Sequence, residues 1–107
     1  MSERIKVWAR PSEVASGSGV AEQLNSMELF VAGAVSGGDF ARTWLRGRRA
    51  SLRSGERVRE PFGRVLDCVF FALEEYAIDP AQREDGDLTD AALCGIVQDA
   101  LHGLRAL

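Results

Sequence analysis

The side chains that could do chemistry in this 107-residue chain are carboxylates and guanidinium groups, and they are sorted by segment. From Arg42 to Arg64, eight arginines (Arg42, Arg46, Arg48, Arg49, Arg53, Arg57, Arg59, Arg64) stand against Glu56 and Glu60. From Leu66 onward, nine acids (Asp67, Glu74, Glu75, Asp79, Glu84, Asp85, Asp87, Asp90, Asp99) stand against Arg83 and Arg105. A formal net charge of −3 hides this separation. Clustered carboxylates have two chemical uses. They can share a proton in acid–base catalysis, or they can present a field that draws in a basic surface. Glu74 and Glu75 are adjacent, and a helix turns neighbours about 100° apart, which is poor geometry for a shared acid–base pair. Acids at helix ends often do no more than cap and solubilise. The density of Asp79, Glu84, Asp85, Asp87 and Asp90, beside Glu74 and Glu75, exceeds what capping needs.

The other reactive types argue against an enzyme. His102 is the sole histidine and falls opposite the apolar stripe of its helix, so no histidine pair can hold a metal. Cys68 and Cys94 lack the CxxC spacing of zinc ligands and read as free, buried thiols in a reducing compartment. The glycine-rich stretches at Ser16–Gly19 and Ser36–Gly38 lack the lysine and strand context of a phosphate cradle. No catalytic residue, cofactor or metal is therefore expected. The arginines carry a competing reading. Arg42, Arg46, Arg49 and Arg53 recur at helical spacing and could track phosphates, which would make the chain a small nucleic-acid-binding regulator. That reading requires the four to be exposed and unpaired, and neither Trp44 nor Phe40 lies on their face to stack bases. A third option is an adaptor that docks through an exposed apolar patch around Phe71 and Trp8.

The elements that must position these groups are helices. Residues 1–19 read as an N-terminal arm, either a short extended strand or a disordered tail: Ile5, Val7 and Ala9 alternate with charged or bulky residues, and Ser16–Gly19 closes it as a flexible linker. Four amphipathic helices follow within residues 20–107. The first spans about Val20 to Val35. The second runs from Phe40 to Ser54, with Asp39 as N-cap and Phe40, Ala41, Trp44, Leu45 and Leu52 facing inward. Arg48 falls within that apolar stripe, where an unpaired charge is costly, so either the helix breaks near Gly47 or Arg48 is tucked against a carboxylate at the bundle seam. Pro61 suits the first turn of the third helix, whose stripe is Phe62, Val65, Leu66, Val69, Phe70, Leu73, Tyr76 and Ala77; Phe71 points away. Thr89 caps the fourth, with Leu93, Ile96, Val97, Ala100, Leu101, Leu104 and Leu107 inward. No strand pair is legible. The pattern predicts an all-α, antiparallel four-helix bundle with a short N-terminal arm. No apolar run approaches the roughly 20 residues of a membrane span, and Met1–Arg10 has no apolar signal core, so a cytoplasmic location is expected.

Against that background the chain resembles the colicin D type of immunity proteins over about Leu24 to Leu104. The resemblance rests on Glu28-Leu-Phe-Val-Ala32, on Phe40 followed by Arg48-Arg49, and on Phe70 with Glu74 and Tyr76. Asp79, Arg83, the acidic loop and the Leu93…Val97…Leu101…Leu104 stripe complete it. It implies a four-helix antiparallel bundle that binds a tRNA-cleaving toxin domain one to one, covering its active site with carboxylates that mimic the tRNA backbone. Glu74 and Asp79 match acidic family positions. Glu75, Glu84, Asp85 and Asp87 join them by proximity. Arg48 and Arg49 match basic positions, which suits a structural ion pair for Arg48. The partner expected is thus a cognate nuclease toxin protein, with no direct nucleic acid and no membrane.

Overall fold

Four helices carry the fold in the computed structural model, which describes residues 6–107. Ile5 and the residues before it, part of the expected arm, lie outside the described residues. The helices are α1 (Gly19–Val31), α2 (Gly37–Arg53), α3 (Phe62–Glu74) and α4 (Asp90–Arg105). Their starts are set by side-chain caps. Ser18, Ser36 and Thr89 each accept the backbone N–H three residues on, from Ala21, Asp39 and Ala92, and so satisfy donors the first helical turn leaves open. Thr89 is the cap expected of α4. Ser36, rather than Asp39, caps α2, which therefore begins three residues earlier than its apolar pattern indicates. Asp39 sits instead in the first turn, where its charge suits the positive end of the helix.

Two helix ends share one device. After α1 the N–H of Ala34 donates to Leu29 O and that of Gly33 to Phe30 O, with Gly33 at φ +78°. After α2 the N–H of Glu56 donates to Ser51 O and that of Gly55 to Leu52 O, with Gly55 at φ +77°. Both are glycine-dependent Schellman turns. The first stops α1 at Val31, short of the expected Val35. The second turns the chain back on itself so that Glu56 points inward.

The core is apolar and drawn from all four helices. Trp44, Phe40, Phe62, Met27, Leu93, Val20, Val69 and Val97 are its largest fully buried side chains. Each such side chain contributes about 1.5–3 kcal/mol through removal from water. Phe30 at the end of α1 stacks on Phe40 at the start of α2, with ring centroids 4.7 Å apart. At the other end, Gly19 of α1 lies against Gly47 and Ser51 of α2 so closely that a Cβ would collide with backbone. Gly47 and Ser51 thus take the inward face there, and Leu52, expected inside, is 62% exposed. Helix α3 packs mainly on α4, and α4 also meets α1. Tyr76 and Ala77 lie beyond the end of α3, although Tyr76 is buried. The free thiols are less buried than expected: Cys68 is exposed and Cys94 half-buried.

The reading that no strand pair exists is overturned. Val7–Trp8 (β1) pairs in parallel with Arg57–Val58 (β2), Val7 opposite Arg57 and Trp8 opposite Val58. Lys6 O accepts from Arg57 N at 2.7 Å and Trp8 O from Arg59 N at 2.9 Å. Two-residue strands leave no periodic signal, so only the folded chain reveals them. Glu56, 7% exposed, secures this corner. Its carboxylate accepts from the indole Nε1 of Trp8 (3.0 Å), the N–H of Gly19 (2.9 Å), the N–H of Val20 (3.2 Å) and the Ser54 hydroxyl (2.9 Å). One side chain thereby joins β1, the positive end of α1 and the turn after α2.

Candidate functional site: the acidic connection between α3 and α4

The six carboxylates singled out above lie on one stretch of chain, from the last residue of α3 to the approach to α4. Glu74 ends α3, and Glu75 follows as its C-cap. Leu88 N donates to Glu75 O at 2.9 Å, closing the excursion at its base. Asp79 Oδ1 accepts from Ala81 N at 3.0 Å, starting a single 3₁₀ turn at Pro80–Gln82. Asp87 Oδ2 accepts from Glu84 N at 2.8 Å, and Gly86 takes φ +95° to complete that turn. Glu74, Glu75, Asp79, Glu84 and Asp85 are exposed; Asp87 is half-buried.

The base within this stretch is spent elsewhere. Arg83 turns toward the bundle, 3.2 Å from Asp90 Oδ1, and lies over the Tyr76 ring at 5.2 Å. The Tyr76 hydroxyl donates to the same Asp90 oxygen at 2.5 Å and accepts from Arg83 at 3.3 Å. Burial, and then the hydrogen bond and charge of Asp90, hold the Tyr76 hydroxyl above its ordinary pKa, so it remains a donor. Gly37 leaves room for this cluster: a Cβ there would overlap the Tyr76 hydroxyl. These bonds fasten the connection to Asp90, the first residue of α4, and the first turn of α2 packs against them at Gly37. None of the six carboxylates takes part in an ion pair among the described residues.

The arginine face divides differently from its sequence reading. Arg42 pairs with Asp39 at 3.2 Å and Arg46 with Glu22 at 2.5 Å, so the requirement that the stripe be unpaired fails at both. Arg49 and Arg53 are exposed and make no ion pair among the described residues. Arg48 departs from expectation too. Helix α2 runs unbroken through it, and its guanidinium centre lies 4.0 Å over the Phe70 ring. An aromatic face takes the place of the expected carboxylate, because Phe70, half-buried and stacked on Trp44, presents its π cloud there.

Sequence reasoning passed over Glu56 altogether. It counted as one of two acids in a basic segment, and the clue available was the Ser54-Gly55 stop before it. Trp8 likewise was read as part of a patch and is instead half-buried and bonded to Glu56.

A model of the bacterial self-protective colicin-like immunity family matches residues 19–104. The chain belongs to that family. As a colicin-like immunity protein it has a toxin protein for a partner, and its family acts by binding, not by catalysis. The matched span opens on the first residue of α1 and closes within α4, so β1 falls outside it while Glu56, which holds β1, falls inside. No curated protein and no solved structure gives a significant match to this immunity protein. No helix among the described residues is long and apolar enough to cross a membrane.

Proposed function

We propose that this immunity protein, of the colicin D type, acts in the cytoplasm on a tRNA-cleaving toxin domain, one molecule to one. In this reading the helices form an antiparallel bundle that presents Glu74, Glu75, Asp79, Glu84, Asp85 and Asp87 as a unit. Their carboxylates stand in for the phosphates of the tRNA and occupy the basic active site, which excludes the substrate. One observation carries the reading: among the described residues, six carboxylates remain without an ion pair while the arginine in their midst is committed to Asp90 and Tyr76. A protein seeking only stability would let Arg83 neutralise its own loop. Left uncompensated, the loop carries a concentrated negative field that steers a basic partner and is repaid only on docking.

Calorimetric titration into the C-terminal domain of the adjacent toxin-like gene, with a tRNA-cleavage assay beside it, tests this. Tight one-to-one binding that stops cleavage, with association slowing as ionic strength rises, supports it. Binding whose kinetics are flat across salt would remove phosphate mimicry and leave an immunity protein with another interface.

A further inference from the structure

Of the two rings expected in an apolar patch, Trp8 is taken by Glu56, whereas Phe71 is 59% exposed on the outer face of α3. Its neighbours on that face are acids. Asp67 lies one turn before it, at i−4, and Glu74 one turn after, at i+3. Helix geometry puts the Cβ atoms of both about 5–6 Å from that of Phe71. Asp67 and Glu74 are exposed and make no ion pair among the described residues. Arg64, a further turn back, pairs with Glu60 at 3.9 Å. Arg48 lies over Phe70, and among the described residues no cation lies over Phe71.

The molecule already shows what a ring beside a carboxylate holds. Arg83 lies 5.2 Å over the Tyr76 ring and 3.2 Å from Asp90 Oδ1, so the ring takes the face of the guanidinium and the carboxylate takes its N–H groups. Phe71 with Asp67 and Glu74 repeats that arrangement without an arginine. The exposed ring is also braced from the core outward. Trp44, buried, stacks on Phe70 at 6.5 Å, and Phe70 meets Phe71 at 5.9 Å between centroids. A ring held in place loses little freedom on contact. A purely apolar partner would take Asp67 and Glu74 out of water with no cation to offset the cost. A lysine would meet their charge, but only the planar guanidinium stacks on a ring and forks a carboxylate at once.

We infer that Asp67, Phe71 and Glu74 form a guanidinium-binding stripe: an arginine of the toxin domain stacks on Phe71 and donates to Glu74 or Asp67. The identity of the partner rests on the toxin reading above, and the stripe carries that interface from the acidic connection back along α3. It also gives the interface a means of selection. Carboxylates alone attract any basic surface, whereas the ring favours one that offers a flat cation at this place.

Fluorescence anisotropy of a labelled peptide of alternating arginine and glycine, with the full chain at low salt, tests the stripe. The peptide should bind more tightly than its lysine counterpart of equal charge. Phe71→Leu keeps the apolar bulk and removes the π face; it should weaken the arginine peptide about three-fold, while Phe71→Trp binds at least as well as wild type. Both variants should keep the wild-type circular dichroism spectrum, since the ring is exposed. The toxin domain should displace the peptide, and Phe71→Leu should weaken the toxin complex about 30-fold, because a desolvated cation on a ring gains more than an exposed one. No peptide binding, equal affinity for the arginine and lysine peptides, or equal affinity of wild type and Phe71→Leu would each overturn the assignment. So would a toxin domain that binds and leaves the peptide in place, which would put Phe71 outside the interface. A toxin domain that does not bind at all defeats the immunity mechanism proposed above, and the peptide titrations still decide the stripe.

Discussion

Glu56 accepts four hydrogen bonds from three parts of the chain, whereas Glu74, Glu75, Glu84 and Asp85 accept none with their side chains among the described residues. The same functional group does two jobs, and the partners it has inside the molecule separate them. A satisfied, buried carboxylate holds the fold. An exposed one, with its nearby base turned away, is available to another molecule. Sequence position and residue type do not distinguish the two.

The largest effect that sharpens this contrast belongs to binding. Replacing Glu74 and Asp79 together by alanine should weaken the toxin complex by about 2–5 kcal/mol, as loss of desolvated interface charges does. The same double variant should cost the free protein no more than about 1 kcal/mol of unfolding free energy, because only Asp79 has an internal partner, the N–H of Ala81. An unchanged calorimetric affinity would move the interface away from the connection.

Glu56→Ala should do the reverse. Removing a carboxylate that caps α1 and holds Trp8 strands buried donors, and urea denaturation should register a loss of about 3 kcal/mol. Toxin affinity of the folded fraction should be retained. The same carboxylate sets an acid dependence. Burial raises its pKa, but hydrogen bonds from Trp8, Gly19, Val20 and Ser54 outweigh burial and leave it below the ordinary value of 4.5. With the folded pKa depressed, the stabilisation is complete above pH 4.5 and is lost as pH falls through the lower folded value. Thermal melts of Glu56→Gln should therefore lie below wild type near neutrality and converge toward it in acid. Parallel curves would show that Glu56 is not the titrating group.

Smaller changes probe the anchors. Tyr76→Phe deletes the hydroxyl donated to Asp90 and should cost about 1 kcal/mol in stability. It should also loosen the acidic connection enough to accelerate amide hydrogen exchange at Leu88. Arg48→Lys keeps the charge but loses the planar stack on Phe70, with an expected cost of about 0.5–1 kcal/mol by denaturation. A much larger loss would mean that Arg48 has an ionic partner after all.

Much of the helical architecture was legible because burial on a helix repeats every 3.6 residues. Phe62, Leu66, Val69 and Leu73 declare α3, and Leu93, Val97, Leu101 and Leu104 declare α4. Ends were less legible. Gly33 and Gly55 terminate helices through left-handed backbone, and only Gly55 stood where the apolar pattern already ran out. Leu52 and Arg48 were misassigned for one reason: periodicity gives a face but not what packs on it. The close approach of α1 at Gly47 put Ser51 rather than Leu52 inside, and Phe70 supplied an aromatic face where a carboxylate was expected. The six candidate carboxylates were visible as a dense run. Their freedom from ion pairs among the described residues was not, because it depends on Arg83 turning toward Asp90.

By itself, the amino-acid sequence determined four amphipathic helices and the sorting of charge by segment, since these follow from local spacing and composition. The tertiary structure alone decided which charges are used up. Glu56 is buried because the turn after α2 delivers it to the start of α1, 37 residues earlier in the chain, and Trp8 reaches it through a two-residue strand pairing. Such contacts depend on where distant segments meet, and a carboxylate's environment, not its identity, sets whether it stabilises the fold or waits for a partner.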